Sequence, residues 1–261
     1  YHRASSVADA VKLQKKGEDA KFVSGGMTLI PAMKSRLAAP SDLVDLAHIA
    51  EMKGIKVSGK TVTIGGGTTH AEVAADAKLK AVCPALCDLA SHIGDPHVRH
   101  KGTIGGSIAN NDPAADYPAA MLALGATIIT NKREVAADKF FTGLFETALK
   151  DGEIVTGVSF TAPAQAAYEK FRNPASRYAI VGVFVAKGKD GVRVAVTGAG
   201  DDGVFRAKGM EAALTKSFVP ASLDGQAIPA SGLMSDMHAS AEYRSSLITV
   251  MAKRAVAKAS A

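Results

Sequence analysis

Apolar positions alternate between helical and strand-like spacing along the first part of the chain. Residues 7–13 carry apolar side chains at helical spacing after a Ser-Ser pair, and Gly17 ends that pattern. An extended run at residues 21–23 follows, and then come an amphipathic helix at 29–37 and a buried strand at 43–46. The pattern predicts that helices and strands alternate here.

A period of two in the next stretch predicts a β-hairpin. Residues 55–57 and 61–64 alternate apolar and polar side chains on either side of Ser-Gly-Lys. Thr69 and Glu72 have the spacing of a capping box, which predicts that a helix begins there. Further helices are predicted at 85–93 and 113–124, and further strands at 126–129 and 152–160.

The pattern changes after Pro163. Three extended segments joined by Gly, Lys and Asp turns occupy residues 168–171, 179–186 and 192–198. Helical patterns follow at 210–214 and 239–258. We therefore place a domain boundary near residue 162.

The composition favours a folded protein with mixed α/β layers. The 261 residues suffice for one large domain or two ordinary ones. Hydrophobic residues make up 47% and aromatic residues 5%, and Trp is absent, so Ala, Val, Ile and Leu must build the core. No apolar stretch reaches the length of a membrane span.

The charge of the chain indicates which kinds of partner it can bind, and its cysteine content indicates the cellular compartment. The formal net charge is +6, but Lys and Arg are spread thinly without interleaved aromatics, so we expect no nucleic-acid binding. A mildly positive surface favours an anionic ligand or an acidic protein partner. Cys83 and Cys87 are too few for a disulfide scaffold, which indicates a reducing compartment, the cytoplasm. We interpret both as buried small apolar residues.

Two glycine-rich segments carry the candidate chemistry. Ser24-Gly25-Gly26-Met27-Thr28 lies between a predicted strand and a predicted helix, where unhindered N–H groups can bind phosphate. Alone this signal is weak, because strand-Gly-Gly turns are common. Residues 102–116 add three glycines, two hydroxyls, two amides and two carboxylates, which predicts a polyoxygenated ligand with phosphates. Neither segment has the Gly-x-Gly-x-x-Gly or P-loop spacing, which argues against Rossmann and P-loop folds.

Four segments together resemble a known family. They read FVSGGMTLIPAMKSRLAAPSDLVDL, VTIGGGTTHAEV, CPALCDLASHIGDPHVRHKGTIGGSIANNDPAADYPA and AYEKFRNPASRYAIVGV. In this order they resemble the FAD-binding medium subunit of the molybdenum hydroxylases, a group that includes aerobic carbon monoxide dehydrogenase and the xanthine dehydrogenase family. The resemblance runs along almost the whole chain.

The resemblance implies an α+β fold. It consists of a two-lobed FAD-binding domain of the PCMH/vanillyl-alcohol-oxidase type at residues 1–162, with lobes at about 1–52 and 53–162. A small C-terminal α+β domain at 163–261 follows, with a three-stranded antiparallel sheet and helices. FAD is expected to lie extended in the cleft between the lobes.

The resemblance also implies the residues that bind FAD. The first diphosphate loop corresponds to Val23, Ser24, Gly25, Gly26, Met27, Thr28, Leu29 and Ile30, and the second to Thr103, Ile104, Gly105, Gly106 and Ser107. Asn110 and Asp116 correspond to polar contacts, and Ile154, Val155 and Lys170 to contacts at the adenine or flavin end. Ser107 is often Asn in relatives, which puts one hydrogen bond to the cofactor in doubt.

The function that the resemblance implies is electron transfer within a heterotrimer. A large subunit hydroxylates the substrate at molybdopterin, a small subunit carries [2Fe–2S] clusters, and FAD in this chain passes electrons to an external acceptor. A dimer of heterotrimers is expected, with no catalytic residue and no metal in this chain. The alternatives are a self-contained flavin reductase or oxidase of the same superfamily, which needs its own proton donor, and a non-catalytic binding protein.

Two clusters of side chains have competing interpretations. His92, His97 and His100 lie around Asp95, but their spacing matches no standard zinc pattern, so we expect loop or interface structure. The segment from Tyr168 to Tyr178 can place a tyrosine or a cation beside the flavin, or form an ordinary strand with exposed charges. The sequence does not decide between these two.

Overall fold

A computed structural model describes all residues from Tyr1 to Ala261. The first lobe is a small parallel sheet flanked by helices, with strand order β1-β3-β2. Its elements are β1 (His2–Arg3), α1 (Val7–Gln14), β2 (Ala20–Val23), α2 (Leu29–Lys34) and β3 (Asp42–Asp45). The side chain of Ser6 caps α1 by accepting a hydrogen bond from the N–H of Asp9 at 3.1 Å.

The second lobe contains a five-stranded antiparallel sheet with strand order β4-β5-β10-β6-β7. A separate two-stranded ribbon pairs β8 with β9. The strands are β4 (Ile55–Ser58), β5 (Thr61–Gly65), β6 (Thr127–Thr130), β7 (Glu134–Ala136), β8 (Phe141–Gly143), β9 (Glu146–Thr147) and β10 (Val155–Thr161). The predicted hairpin is β4 and β5, joined at Gly59 and Lys60.

Helices cover one face of this sheet. They are α3 (His70–Ala75), α4 (Ala77–Val82), α5 (Pro84–Ser91), α6 (Pro96–Lys101), α7 (Ile104–Asn110) and α8 (Tyr117–Ala123). Thr69 and Glu72 form the predicted capping box at the start of α3. The helix predicted at 113–124 begins later, because Asp112 accepts from the N–H of Ala114 at 2.8 Å and holds the preceding residues in a turn.

The C-terminal domain has four antiparallel strands, one more than the three predicted. Its elements are β11 (Gln165–Arg172), β12 (Ala179–Gly188), β13 (Gly191–Thr197), β14 (Phe205–Arg206), α9 (Lys208–Lys216) and α10 (Ala241–Ser260). The additional strand, β14, pairs with β13. It is only two residues long, so it leaves no periodic pattern in the sequence. Short 3-10 turns occur at Ala50–Met52, Ala137–Lys139 and Pro220–Leu223.

Strand β12 is buried on both faces and joins two hydrophobic cores. Phe184 and Ala186 belong to the core of the second lobe. Val183 and Val185 belong instead to the core beneath α9 and α10. Successive side chains of a strand point to opposite faces, so one strand packs the C-terminal sheet onto the second lobe. None of the helices combines the length and the apolar character needed to cross a bilayer.

The two lobes share buried residues as well. Ile154, which precedes β10 in the second lobe, belongs to the core of the first lobe together with Val44, Ile49 and Met52. The fold is thus the α+β arrangement that the sequence predicts, with two lobes and a C-terminal domain in direct contact.

Candidate functional site

A cleft of about 650 Å³ opens where the two lobes and the C-terminal domain meet. Its volume falls within the range of about 300–1,000 Å³ typical of small-molecule and cofactor sites. Of the predicted site residues, those that line it are residues 23–29, Thr103, residues 105–107, Asn110, Asp116, Ile154 and Val155. The C-terminal domain contributes residues 176–178.

The loop after β2 presents free backbone donors to the cleft. None of the N–H groups of residues 24–28 donates a hydrogen bond to another group of the chain. Gly26 has φ +70°, a conformation that glycine adopts without strain and that lets the chain turn sharply here. A row of unpaired N–H groups is an anion-binding concavity, so this loop can hold a diphosphate.

Gly25 is held against the second lobe by a close backbone approach. A side-chain carbon on Gly25 would lie 2.0 Å from the carbonyl oxygen of Lys101 and 2.7 Å from Cα of Gly102. Beside this contact, the hydroxyl oxygens of Ser24 and Thr103 lie 3.0 Å apart and share a hydrogen bond. Glycine at position 25 is therefore required by the junction between the lobes.

The second glycine segment, which the resemblance implies is the second diphosphate loop, has its backbone N–H groups paired within the chain. It is the first turn of α7, where the Thr103 hydroxyl accepts from the N–H of Gly106 at 3.1 Å. The N–H of Ile104 donates to the carbonyl of Thr68, that of Gly105 to Gly66, and that of Ser107 to Thr103. These donors are already paired inside the protein and are unavailable to a ligand.

Side chains of α7 face the cleft instead. Ser107 and Asn110 line it, and neither side chain has a hydrogen-bond partner within the chain. The glycine at 105 serves packing, because a side chain there would meet the Gly66 carbonyl oxygen at 2.6 Å. Asn111 turns the chain out of α7 with φ +44° and donates to the carbonyls of Gly143 and Glu146, which fixes the β8–β9 ribbon.

Asp116 links the cleft to the C-terminal domain. Its carboxylate accepts hydrogen bonds from the Tyr168 hydroxyl and from Lys170 Nζ, the latter at 3.0 Å. Burial raises the pKa of Asp116, and the positive charge of Lys170 opposes that shift. Thr197 Oγ1 donates to the carbonyl of Ala115 at 2.6 Å, so β11 and β13 both hold this loop in place.

Three predicted site residues lie outside the cleft lining. Ile104 is fully buried in the core of the second lobe. Ile30 is exposed on α2. Lys170 Nζ donates to the Asp116 carboxylate and, at 3.1 Å, to the backbone carbonyl of His92. The cation from this segment that does line the cleft is Arg177, which lies beside Tyr178.

Arg177 and Tyr178 are the residues of the segment after β11 that line the cleft. Arg177 has φ +63° and donates from Nη1 to the carbonyl of Gly94 at 3.2 Å, which holds the turn against the second lobe. Tyr178 is half-exposed at the mouth of the cleft. A tyrosine and a cation from this segment therefore line the cleft, whereas Lys170 does not.

Glu153 is a cleft residue that the sequence analysis missed. Its carboxylate accepts from Arg133 Nε at 2.8 Å and Nη2 at 2.9 Å, and from the N–H of Lys150 at 2.7 Å. The hydrogen bonds from Arg133 lower its pKa to about 2. Arg133 lies in the turn between β6 and β7, and Glu153 lies two residues before β10, which pairs with β6. The pairing of Val155 with Thr130 places these two flanking segments side by side.

The segment that follows Asp95, with His97 and His100, forms helix α6, and the two cysteines are buried. Asp95 caps α6 by accepting from the N–H of Val98 at 2.9 Å, and His100 Nδ1 lies 2.6 Å from the Pro96 carbonyl oxygen. No group of His, Cys, Asp or Glu side chains in the chain is arranged to hold a metal ion. Burial raises the pKa of Cys83 to about 12 and that of Cys87 to about 11, so both are thiols at neutral pH.

The sequence matches a family model and several curated proteins. Residues 1–163 match the family described as FAD binding domain in molybdopterin dehydrogenase. The carbon monoxide dehydrogenase medium chain of Afipia carboxidovorans is 37% identical, with 100% of this chain and 96% of that protein covered. The medium chain from Hydrogenophaga pseudoflava is 34% identical, with 98% and 95% covered.

Solved structures give the same result for the fold. The reconstituted CO dehydrogenase from Oligotropha carboxidovorans superposes with a TM-score of 0.90 at 34% identity, covering 99% of this chain and 96% of that one. Quinoline 2-oxidoreductase from Pseudomonas putida 86 gives a TM-score of 0.88 at 27% identity, with 99% and 95% covered.

The geometry of the cleft fits the cofactor of this family. Its free N–H groups at residues 24–28 suit a diphosphate, and the unpartnered Ser107 and Asn110 side chains suit the hydroxyls of a dinucleotide. With the family match over residues 1–163, the prediction of an FAD-binding oxidoreductase flavoprotein is confirmed. The chain belongs to the family of FAD-binding domains of molybdopterin dehydrogenases, and FAD is its cofactor.

Proposed function

We propose that this chain is the FAD-binding electron-transfer subunit of a heterotrimeric molybdenum hydroxylase. The observation that carries the proposal is the row of free N–H groups at residues 24–28 facing a cleft bounded by both lobes and the C-terminal domain. The relatives named as medium chains and medium subunits support the assignment, since this chain covers nearly their whole length.

The residues of the chain hold and orient the cofactor. The N–H groups of residues 24–28 bind the diphosphate, and Ser107 and Asn110 hydrogen-bond the neighbouring oxygens. Arg177 and Tyr178 stand at the mouth of the cleft, where a cation and an aromatic ring stabilise reduced flavin and limit solvent access. Bound FAD supplies electron storage between the internal donor and the external acceptor.

The substrate chemistry is assigned to partner subunits. Cys83 and Cys87 are buried thiols, and two cysteines are too few to ligate an iron–sulfur cluster, which normally takes four ligands. The [2Fe–2S] clusters that reduce the flavin therefore belong to a small subunit, and molybdopterin belongs to a large one. The complex is a dimer of these heterotrimers in the cytoplasm, and it passes electrons to an external acceptor.

The proposal includes the domain organisation of the chain. Residues 1–162 form the FAD-binding domain, with lobes at about 1–52 and 53–162, and residues 163–261 form the C-terminal flavoprotein domain. The contacts of Asp116 with Tyr168 and Lys170 support a role of the second domain in holding the cofactor loop. All three segments contribute to one cleft.

The test compares the isolated chain with its complex. The chain is loaded with FAD and mixed anaerobically with the reduced small subunit while flavin absorbance is followed by stopped flow. We expect the flavin to be reduced by that subunit, and no turnover of candidate substrates by the chain alone. Substrate turnover by the isolated chain at the rate of the complex would favour a self-contained flavoenzyme and contradict the proposal.

A further inference from the structure

His70 is a buried imidazole without a hydrogen-bond partner in the wall of the FAD cleft. It is the first residue of α3, and 5% of its surface is exposed. Its backbone N–H donates to the carbonyl of Gly102 at 3.0 Å. Neither ring nitrogen makes a hydrogen bond within the chain, and Nδ1 is completely buried. The ring nevertheless lines the cleft.

The ring lies directly behind the junction of the two glycine segments. A side-chain carbon on Gly102 would meet Nε2 of His70 at 2.6 Å. The same Gly102 Cα lies 2.7 Å from the position that a side-chain carbon on Gly25 would occupy. Gly102 therefore contacts both His70 and Gly25, and Nε2 is the ring atom nearest to the side-chain position of Gly102. His70 and Gly102 both line the cleft.

A neutral imidazole in this position is costly to stability unless something binds it. Burial and the nearby charge of Arg99 lower the pKa of His70 to about 4, so the ring is uncharged at neutral pH. The neighbouring ring of Tyr117, 5.3 Å away between centroids, also has a buried hydroxyl with no partner. Buried polar groups normally have partners, and an apolar side chain would fit these surroundings better.

We propose that His70 is an FAD-binding residue whose Nε2–H donates to an oxygen of the diphosphate or of the adjoining sugar hydroxyls. Nδ1 is fully enclosed, so Nε2 is the nitrogen that can reach the cleft. In the neutral ring one nitrogen donates and the other accepts, and a phosphate oxygen requires the donor. The inference rests on the proposed FAD site and adds a residue that the glycine-loop pattern does not contain.

The test uses the full chain, with its partner subunits where they co-purify, in three variants. His70→Leu removes both nitrogens but keeps the volume, His70→Gln keeps a donor, and Tyr117→Phe is the control outside the cleft. FAD affinity is measured by fluorescence titration of the apoprotein, and thermal unfolding is followed without FAD. We expect His70→Leu to weaken FAD binding about tenfold, as the loss of one hydrogen bond implies, with an unchanged or higher unfolding temperature.

The two other variants show whether the loss of FAD affinity comes from the missing hydrogen-bond donor at position 70. His70→Gln and Tyr117→Phe should bind FAD within about threefold of wild type. Wild-type affinity should not change with pH between about 6 and 8, because the ring stays neutral there. A His70→Leu protein that binds FAD as tightly as wild type overturns the inference and leaves the proposed function intact. Wild-type protein that takes up no FAD contradicts the proposed function and the inference with it.

A second measurement covers the case in which His70→Leu does not fold. The wild-type chain is labelled with 15N-histidine, and the imidazole nitrogens are observed by NMR before and after FAD is added. The resonances of His70, assigned by their absence in His70→Gln, should shift on FAD binding. Unchanged His70 resonances in the FAD-saturated protein overturn the inference.

Discussion

Asp116 of the FAD-binding domain and Lys170 of the C-terminal domain form a buried ion pair, with Lys170 Nζ 2.9 Å from the Asp116 carboxylate. Both side chains are 5% exposed. The pair fixes the loop before α8 to strand β11, and the same loop lines the FAD cleft. The cofactor site is therefore held in shape partly by a domain that contributes few of its lining residues.

Replacing Lys170 with Met leaves the Asp116 carboxylate buried beside Tyr168 without a cation. Removing one partner of a buried ion pair costs about 3–5 kcal/mol, so we expect a loss of stability of that size. Urea unfolding measures it. The double variant Asp116→Asn/Lys170→Met should recover part of the lost stability, because it leaves no buried charge unpaired. The control is Lys189→Met, at an exposed turn, whose free energy of unfolding should stay within about 0.5 kcal/mol of wild type. Equal effects of the Lys170 and Lys189 variants would contradict the account.

Replacing Gly25 with Ala tests the junction between the lobes. The added carbon would lie 2.0 Å from the Lys101 carbonyl oxygen, so the loop must move, and FAD affinity should fall at least tenfold with a destabilisation of about 1–3 kcal/mol. Gly188→Ala is the matched control, because a side chain at Gly188 meets open space. FAD titration and thermal unfolding report both effects. Wild-type affinity in Gly25→Ala would show that the close approach is dispensable.

The Glu153–Arg133 ion pair predicts a pH dependence of stability. The pKa of Glu153 is about 2 in the folded chain and 4.5 when unperturbed, so the unfolded state binds its proton first as pH falls. The contribution is present above about pH 4.5 and is lost as pH falls toward 2. Unfolding of wild type and Glu153→Gln as a function of pH measures it. The two proteins should differ at pH 7 and converge at low pH, and parallel curves would refute the assignment.

Cys83 and Cys87 should be unreactive in the folded chain. Burial raises the pKa of both thiols, to about 12 and about 11, so almost no thiolate is present at neutral pH. A chromogenic disulfide reagent should modify neither cysteine in the native protein and both after denaturation. Rapid modification of either in the native protein would show that the packing around α5 is wrong.

Local sequence signals predicted much of the fold. The capping box at Thr69 and Glu72, the β4–β5 hairpin and the strand–glycine–helix order around Gly26 depend on neighbouring residues, and all are present. The short strand β14 left no signal, because two residues carry no periodicity.

The features of the site that the sequence did not predict depend on contacts between residues far apart in the chain. Residues 104–107 have the composition of a phosphate loop, yet their N–H groups pair with distant carbonyls at Thr68 and Gly66 and with Thr103. Lys170 lies in the segment that the resemblance places near the flavin, but it pairs with the buried Asp116 and does not line the cleft itself. Both outcomes depend on partners many residues away, which neither spacing nor composition identifies.

The central claim is that the N–H groups of residues 24–28 bind the FAD diphosphate. Amide hydrogen exchange of the apoprotein and the FAD-saturated protein, resolved by residue, tests it directly. We predict rapid exchange at 24–28 without FAD and strong protection with it, while the paired amides of 104–107 are protected in both states. Unchanged exchange at 24–28 on saturation with FAD would contradict the claim.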